Sequence, residues 1–248
     1  KLWNKISKIP KSGKSALAYI IKSLKPSSWD KISDLLYKNK YSNLGYKLHK
    51  GADSLQSKNI DDLYFNLIST IKNPTEWLIN SEEHSNTNYN FDPKITGIER
   101  MMIKDLVGYL PTDILTKVDR TSMAVSLEAR TPFLDKEIVK FALTLPEEYK
   151  IKAEVGKSVL RDVLYKYVPR NMIERPKMGF GVPLAEWMRG ELRDWCEDLL
   201  NENKLKEDGF FNTKVICEKW NEHLKGDVDW HHELWNVLIF QAWLNNIR

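Results

Sequence analysis

Apolar residues recur at helical spacing over most of this 248-residue chain, and no stretch shows the strict apolar alternation of a half-buried strand. The run 59–72 is a clear case, because its apolar residues lie three or four positions apart. Asn59 is a favourable N-cap for that helix, and Asp61 and Asp62 suit the positive end of its dipole. The pattern therefore predicts a mainly α-helical protein.

The same periodicity predicts further helices along the chain. One begins at Ser27 or Ser28, and a short one begins at Pro74 and ends near Asn80. The others are expected at 98–109, 111–127, 136–143, 157–167, 184–202 and 227–247. In the last helix we expect one apolar side made of Trp230, Leu234, Trp235, Leu238, Ile239 and Trp243. The polar segment at about 81–97 has no such period and is predicted to be a long mobile loop.

Composition narrows the class of protein. Hydrophobic residues make up 42% of the chain and charged residues 29%, which excludes disordered and fibrous classes. The two cysteines, Cys196 and Cys217, do not form a disulfide framework, and no Cys/His set has zinc spacing, so no metal site is expected. No run of 18 apolar residues is present, and the first five residues, KLWNK, lack the uninterrupted apolar core of a signal peptide. We therefore expect a cytoplasmic protein that neither enters a membrane nor binds nucleic acid. The first residue, Lys1, suggests a piece of a longer chain.

The net charge of +4 conceals a basic start, because residues 1–50 contain 12 Lys against only Asp30 and Asp34. Within it, the run 11–15 ends in Gly-Lys-Ser, as a phosphate-binding loop does. Such a loop also needs a glycine at position 8, which is Lys8, and a buried strand before it. We interpret the run as a turn between two basic amphipathic segments. The basic stretch is read as a solvated face, with contact to a membrane surface or nucleic acid as the alternative.

Two further clusters combine charged and apolar residues. The first, 109–135, reads YLPTDILTKVDRTSMAVSLEARTPFLD, and its charged residues Asp113 and Lys117 are spaced for one helix face. Because small apolar residues surround Arg120, Glu128 and Arg130, we expect these three side chains to be largely desolvated. The residues alone do not decide between a structural ion network and the wall of an active site.

The second cluster joins the runs 153–161 and 175–183. Gly156 is expected to let the chain turn into a helix that begins beside Lys157, with Arg161 one turn later. A helix start with a lysine is suited to an anion, although a solvent-facing Lys157 is the simpler interpretation. Lys177 precedes a Gly-Phe-Gly loop that is suited to closing over a ligand.

Taken together, these motifs closely resemble the synthetase domain of glutamine-hydrolysing asparagine synthases. The matching runs are 109–135, GKSVLR at 156–161, RPKMGFGVP at 175–183 and the Trp- and Leu-rich end at 230–244, in the same order. The resemblance covers essentially the whole chain.

The resemblance implies a two-domain enzyme of which this chain is one part. The family joins a glutaminase with an amino-terminal Cys nucleophile to a synthetase domain with a Ser-Gly-Gly-x-Asp-Ser loop for ATP, and neither motif occurs here. Residues 1–248 are therefore expected to be the carboxy-terminal, mainly α-helical fragment. It would complete an α/β nucleotide-binding domain of the adenine nucleotide alpha hydrolase-like (PP-loop) type. The glutaminase domain and the PP-loop half are absent, so we expect the fragment alone to be inactive.

The implied reaction adenylates a carboxylate with ATP and forms an amide with ammonia derived from glutamine. The simplest acceptor is aspartate, which gives asparagine; a sugar carboxylate or another acceptor in glycan biosynthesis is the alternative. ATP and Mg²⁺ would be bound mostly by the absent half, and none by the fragment alone. The glutaminase domain is the expected partner, and an oligomer remains open. A third reading, of another class, is a non-catalytic helical module for assembly or anion binding.

The resemblance also assigns roles to residues. Lys157 matches the family's pyrophosphate-contacting lysine and is the expected catalytic residue. The other assignments are a phosphate- and substrate-binding set, Arg161, Lys177, Arg120 and Arg130, and a pair that braces the pocket, Asp119 and Glu128. Cations are needed here because a carboxylate attacks a phosphoryl centre, and both are negatively charged.

Overall fold

A computed structural model describes residues 3, 6–37, 44–82, 90–153, 155–175 and 181–248. Lys177 and part of the predicted loop, 83–89, lie outside the described residues. Over the rest the chain is mainly helical, as the apolar period predicts.

The α-helices have these bounds: α1 Lys11–Lys22, α2 Pro26–Tyr37, α3 Leu44–Leu55, α4 Ile60–Ile68, α5 Pro74–Trp77, α6 Gly97–Lys104, α7 Thr116–Met123, α8 Lys136–Thr144, α9 Glu147–Lys150, α10 Ser158–Leu164, α11 Arg170–Ile173, α12 Leu184–Arg189, α13 Arg193–Leu199, α14 Glu202–Asp208, α15 Thr213–Lys225 and α16 His231–Ile247. A π-helix spans Asp105–Leu115 and a 3₁₀ turn spans Pro132–Leu134. The described strands, β1 Ile151–Lys152 and β2 Val155–Gly156, form an antiparallel pair in which Ile151 faces Gly156 and Lys152 faces Val155.

The chain divides into two compact units. The flanking unit consists of Lys1–Ile103 and Val182–Arg248, and the central unit is Lys104–Gly181. All nine tryptophans belong to the flanking unit.

The core of the flanking unit is built around α16, which packs against α12, α13 and α15. Its buried apolar residues are Trp77, Met188, Cys196, Leu199, Leu200, Leu205, Phe211, Ile216, Trp220, Leu234, Val237 and Leu238. Trp77 comes from α5, which contacts α15, and its ring meets that of Trp230 edge-on at 6.3 Å. Aromatic packing therefore contributes to this core, and each such pair adds about 0.5–1.5 kcal/mol beyond the area it buries.

The apolar side of α16 differs from the one predicted. Leu234 and Leu238 are buried as expected, but Ile239 is 46% exposed and Trp243 is 53% exposed. Gln241 is fully buried instead, and its amide donates to Asp208 at 2.8 Å. A single helical period does not locate the buried face here, because α16 carries apolar residues around most of its circumference.

The amino-terminal helices pack through small residues. Helix α3 contacts α1, α2 and α4, and its Gly45 lies so close to the Pro26 carbonyl that a Cβ atom there would overlap it. The first helix contains the Gly-Lys-Ser run, so the predicted turn at 11–15 is wrong. The predicted capping of α4 is confirmed, because the Asn59 side chain accepts a hydrogen bond from the Asp62 amide at 2.8 Å.

Several predicted boundaries are also wrong. The helix predicted at 184–202 is two helices, α12 and α13, because Gly190 leaves the helical conformation, and Asn201 caps the start of the next helix, α14. Helix α4 ends at Ile68 and α5 ends at Trp77, both earlier than expected. The π-helix replaces the break expected near Pro111: the hydroxyls of Thr112 and Thr116 donate to the carbonyls of Gly108 and Pro111, both at 2.8 Å, and support the backbone around the proline.

The central unit contains no buried apolar side chain among its described residues. Ser158, at 7% exposure, is its one described residue in the buried class. Large apolar side chains such as Val125, Leu127, Phe133 and Phe141 are each at least 60% exposed. The described part of this unit is therefore held by local helical contacts and hydrogen bonds and not by a hydrophobic core.

Candidate functional site

Lys157 stands at a strained turn between β2 and α10. Its backbone is left-handed, with φ 62° and ψ 36°, whereas Gly156 before it has no positive φ. The turn that Gly156 was expected to make is therefore made by Lys157, and that prediction is wrong. Such strain in a lysine costs about 1–2 kcal/mol and is found mainly where the surrounding structure enforces it. The ammonium is exposed, and no described carboxylate pairs with it.

Two hydrogen bonds secure this turn. The buried Ser158 hydroxyl donates to the carbonyl of Tyr149 at the end of α9, which ties α10 to the chain before the hairpin. The Arg161 side chain donates from Nε to the carbonyl of Gly156 at 3.2 Å. Residues on both sides of Lys157 are thereby fixed, while its own side chain remains directed to solvent.

Arg161 also makes an ion pair with Glu174, with 2.6 Å between Nη1 and Oε1. The Tyr165 hydroxyl donates to the same carboxylate, and this bond together with Arg161 holds the pKa of Glu174 below its usual range. Arg170 lies over the Tyr165 ring, 4.6 Å from its centroid. The Arg161 guanidinium is thus already engaged by protein groups.

The remaining predicted residues lie at and after α7. Asp119 lines a cavity of about 350 Å³ together with Ala129 and Thr131, so the segment that carries Glu128 and Arg130 lies beside the first half of that helix. Arg130 pairs with Glu128 at 3.0 Å, but their side chains are 82% and 64% exposed. Arg120 is exposed as well.

The predicted desolvation of Arg120, Glu128 and Arg130 is therefore wrong for this chain. The small apolar residues around them, such as Val125 at 74% exposure, are themselves exposed. Because no described apolar residue of the central unit is buried, no described hydrophobic core removes these charges from water. The predicted pairing of Asp113 with Lys117 is confirmed, and the hydrogen bond from Lys117 lowers the pKa of Asp113.

The structure thus describes two groups of predicted residues in the central unit. One is the turn with Lys157 and Arg161, and the other is the cavity with Asp119 and the Glu128–Arg130 pair. Lys177 belongs to neither, because it lies outside the described residues. In the part of the chain that the structure covers, no group of His, Cys, Asp or Glu is suited to holding a metal ion. Nor does any helix described here have the length and apolar character to cross a membrane.

A family model for asparagine synthase matches residues 2–245 of the chain. The chain belongs to the asparagine synthase family. The match includes both groups of the central unit and the whole of α16 except its last residues.

Curated members of the asparagine synthase family align with just over half of the chain. Asparagine synthetase [glutamine-hydrolyzing] 1 of Bacillus subtilis is 33% identical over 146 residues, which are 59% of this chain and 23% of that protein. A putative asparagine synthetase [glutamine-hydrolyzing] of Mycobacterium bovis is 37% identical over 147 residues, 59% of this chain and 22% of that protein. The asparagine synthetase [glutamine-hydrolyzing] of Rattus norvegicus is 29% identical over 149 residues, 54% of this chain and 26% of that protein. The aligned part spans about a quarter of these relatives' length. No solved structure matches significantly.

In this chain of the asparagine synthase family, the sequence did not predict the two partners of Arg161, Tyr165 and Glu174. Tyr165 lies four positions after Arg161, which places both on one face of a helix and is a usable signal. Glu174 lies beyond the end of α10, and no local spacing links it to Arg161. A left-handed lysine likewise has no sequence signature, because glycine is the residue that normally marks such a backbone.

Proposed function

We propose that residues 1–248 form the carboxy-terminal helical part of one synthetase domain in an ATP-dependent glutamine amidotransferase. The complete enzyme adenylates a carboxylate and joins it to ammonia derived from glutamine, most simply making asparagine from aspartate. The observation that supports this is the family match over nearly the whole chain. The relatives are named asparagine synthetase [glutamine-hydrolyzing], which supports the choice of acceptor and nitrogen source. Reduced cysteines and a cytoplasmic location belong to the same proposal.

The exposed apolar surface of the central unit supports its place in a larger domain. Monomeric proteins rarely leave large apolar patches in water. We propose that these side chains pack on the nucleotide-binding α/β half of the domain, of the adenine nucleotide alpha hydrolase-like (PP-loop) type. Packing there would also desolvate Arg120, Glu128 and Arg130, as the sequence predicts for the active-site wall. The glutaminase domain of the same protein is the second proposed partner.

The cationic side chains of the central unit differ in how available they are to bind the phosphate groups of ATP. When bound, ATP with Mg²⁺ supplies the adenylyl group that activates the carboxylate. Lys157 and Arg120 have no carboxylate partner among the described residues, so both are available to a phosphate. Arg130 and Arg161 are paired with Glu128 and Glu174. We therefore assign Lys157 as the catalytic residue that holds developing negative charge, and Arg120 as the first further phosphate ligand.

The other assignments follow from the same arrangement. Arg161 binds a phosphate only if it leaves Glu174; otherwise it positions Lys157 through the Gly156 carbonyl. Asp119 and Glu128 brace the wall, Glu128 through its pair with Arg130. Lys177 remains a proposed phosphate contact on the strength of the sequence motif alone.

The acceptor is tested with the complete protein, ATP, Mg²⁺, glutamine and aspartate. We expect equal amounts of AMP, pyrophosphate and asparagine to form. If no turnover depends on aspartate, the assignment of aspartate is wrong, and a panel of sugar carboxylates assayed for AMP release tests the alternative acceptor.

The role of Lys157 is tested with Lys157→Ala in the complete protein. Synthesis should fall by at least about 100-fold, as when a single charge-stabilising group is removed from an active site. Hydrolysis of glutamine should be unchanged. Lys166→Ala is the matched control, because Lys166 is an exposed lysine that follows the same helix. Equal synthesis by the two variants would contradict the assignment.

A further inference from the structure

A second cavity, of about 250 Å³, lies wholly within the flanking unit. Helix α3, the segment 69–77, helix α15 and the chain from Val228 into α16 form its walls. Its volume is just below the range of about 300–1,000 Å³ that is usual for drug-sized ligands. The cavity is therefore too small for a nucleotide and suits a small metabolite.

Two indoles form the apolar part of the cavity. The ring centroids of Trp77 and Trp230 are 6.3 Å apart, and the Trp230 Nε1 donates to Glu222 at 2.7 Å, which fixes that ring. The Lys219 ammonium lies 3.7 Å from the Trp230 centroid and 5.3 Å from that of Trp77. Because the protein's own cation already occupies these faces, a second cation is not expected to bind on them.

The cavity is also lined by Glu233, which has one unsatisfied carboxyl oxygen, and by Lys50, which makes no ion pair with a described carboxylate. The Oε2 atom of Glu233 is buried and accepts no hydrogen bond from any described residue. Burial raises the pKa of Glu233, while a hydrogen bond from its own backbone amide and the charges of Lys219, Lys50 and Lys72 act in the opposite direction. Lys72 is already bound to Asp53, whereas Lys50 has no carboxylate partner within the described ranges. A buried acceptor without a donor is unfavourable, so the site is complementary to a ligand that brings one.

We propose that this cavity binds a small α-amino acid in its zwitterionic form. The α-ammonium group donates to Glu233, the α-carboxylate pairs with Lys50, and the side chain packs against Trp77 and Trp230. A simple amine would leave Lys50 unpaired, and a simple anion would meet the carboxylate of Glu233. A metal ion is not favoured, because no described set of side chains groups as metal ligands here.

The ligand class is tested by titrating the full-length protein with L-valine and two matched fragments. Isobutylamine lacks the carboxylate of valine, and isovalerate lacks its ammonium group. Quenching of tryptophan fluorescence, checked by calorimetry, should show valine binding, and each fragment should bind at least about tenfold more weakly. Equal binding of either fragment would overturn the proposal. So would the absence of binding by L-valine, L-threonine and L-asparagine at concentrations up to about 20 mM.

The contacts are tested with Glu233→Gln and Lys50→Met. Each should weaken valine binding by at least about tenfold, since each removes one charge-assisted hydrogen bond. Glu207→Gln and Lys225→Met, at exposed positions of the same unit, are the matched controls and should bind as the unaltered protein does. Unchanged binding by Glu233→Gln would contradict the site. These residues play no part in the proposed synthesis, so the outcome does not depend on that proposal.

Discussion

At the scale of single residues, two features of Lys157 can be distinguished by experiment. Its left-handed backbone affects stability, and its ammonium group is the one we assign to catalysis. A lysine at φ 62° is strained, and replacement by glycine would relieve that strain but add conformational freedom to the unfolded chain. The two effects on stability are of similar size and opposite sign. A stability measurement beside an activity measurement therefore distinguishes what the backbone and the ammonium each contribute.

For Lys157→Gly we expect a free energy of unfolding between unchanged and about 1 kcal/mol higher than that of the unaltered protein. Synthesis by the complete enzyme should be lost as fully as in Lys157→Ala, because both variants lack the ammonium. Chemical unfolding and the synthesis assay on the same preparations provide the check. Retained synthesis in the glycine variant would show that the turn matters and the charge does not.

His223 makes the stability of the flanking unit depend on pH. It is fully buried at the end of α15, stacked on Trp220. Burial and then the Arg189 guanidinium, which is 3.4 Å from Nδ1, lower its pKa to about 4 from an ordinary 6.5. Asp229, 3.9 Å from Nδ1, acts in the opposite direction and does not offset them. The folded state therefore favours the neutral ring, and protonation favours the unfolded state.

The stabilisation from neutral His223 is complete above pH 6.5 and is lost as the pH falls toward 4. Between pH 6.5 and pH 5 this group alone should lower the free energy of unfolding by on the order of 2 kcal/mol. Tryptophan fluorescence during urea unfolding follows this unit, because it contains every tryptophan. His223→Gln should show a smaller dependence on pH over this range; a dependence as steep as before would assign the effect to other groups. His231 and His232, whose pKa values are also lowered by burial, contribute to the dependence that remains.

At the scale of elements, glycine affects stability differently at the end of a helix and in its interior. Gly226 ends α15 with φ 71°, and its amide donates to the His223 carbonyl at 3.0 Å. Gly51 lies inside α3 with helical backbone and open space around its Cα. The same substitution is therefore expected to have opposite effects at the two positions.

Gly226→Ala should lower the free energy of unfolding by about 1 kcal/mol, because alanine is strained in the left-handed region. Gly51→Ala should raise it by about 0.5–1 kcal/mol, since glycine is a poor residue for a helix interior. Urea midpoints followed by tryptophan fluorescence measure both. A loss of stability at both positions would mean that contacts at Gly51, and not helix propensity, decide the result.

Helix starts could be predicted from the sequence where residues within one turn determine them. Asn59 and Pro74 each mark a helix start that the structure contains, because capping and proline geometry act within one turn. The ends of helices were predicted less well, as at Gly190 and within α16, since packing against other helices determines them. The helices α3 and α15 were not predicted at all, and the hairpin β1–β2 is too short to show a period.

At the scale of the whole molecule, the sequence indicated the family and the candidate residues but not their surroundings. Motifs at 109–135 and 156–161 identified Lys157, Arg120 and Asp119, because residue order is readable without coordinates. The order of residues does not predict how exposed each of these side chains is. Small apolar residues indicated a buried wall, yet in this chain that wall faces water. The difference has a physical reason, since burial depends on groups that are distant in sequence or belong to other parts of a protein.

The contrast between the two units leads to a prediction about local stability. Hydrogen exchange is slow where backbone amides are buried by apolar packing and fast where helices are held only by local contacts. In the 248-residue chain, amides of α7 and α8 should exchange at least about 100-fold faster than those in the middle of α16, which corresponds to a difference in opening free energy of about 3 kcal/mol. Mass spectrometry of exchanged peptides measures this directly.

In the proposed complete enzyme, the same peptides of α7 and α8 should become protected if the proposed α/β half covers their apolar side chains. Protection at α16 should change little, because its core lies within the flanking unit. If the central unit were equally protected in the 248-residue chain, its apolar residues would have a partner within this chain, and the proposed docking of a nucleotide-binding half would lose its physical basis. The ratio of exchange rates between α8 and α16, measured in both proteins, therefore tests whether the proposed nucleotide-binding half covers the central unit.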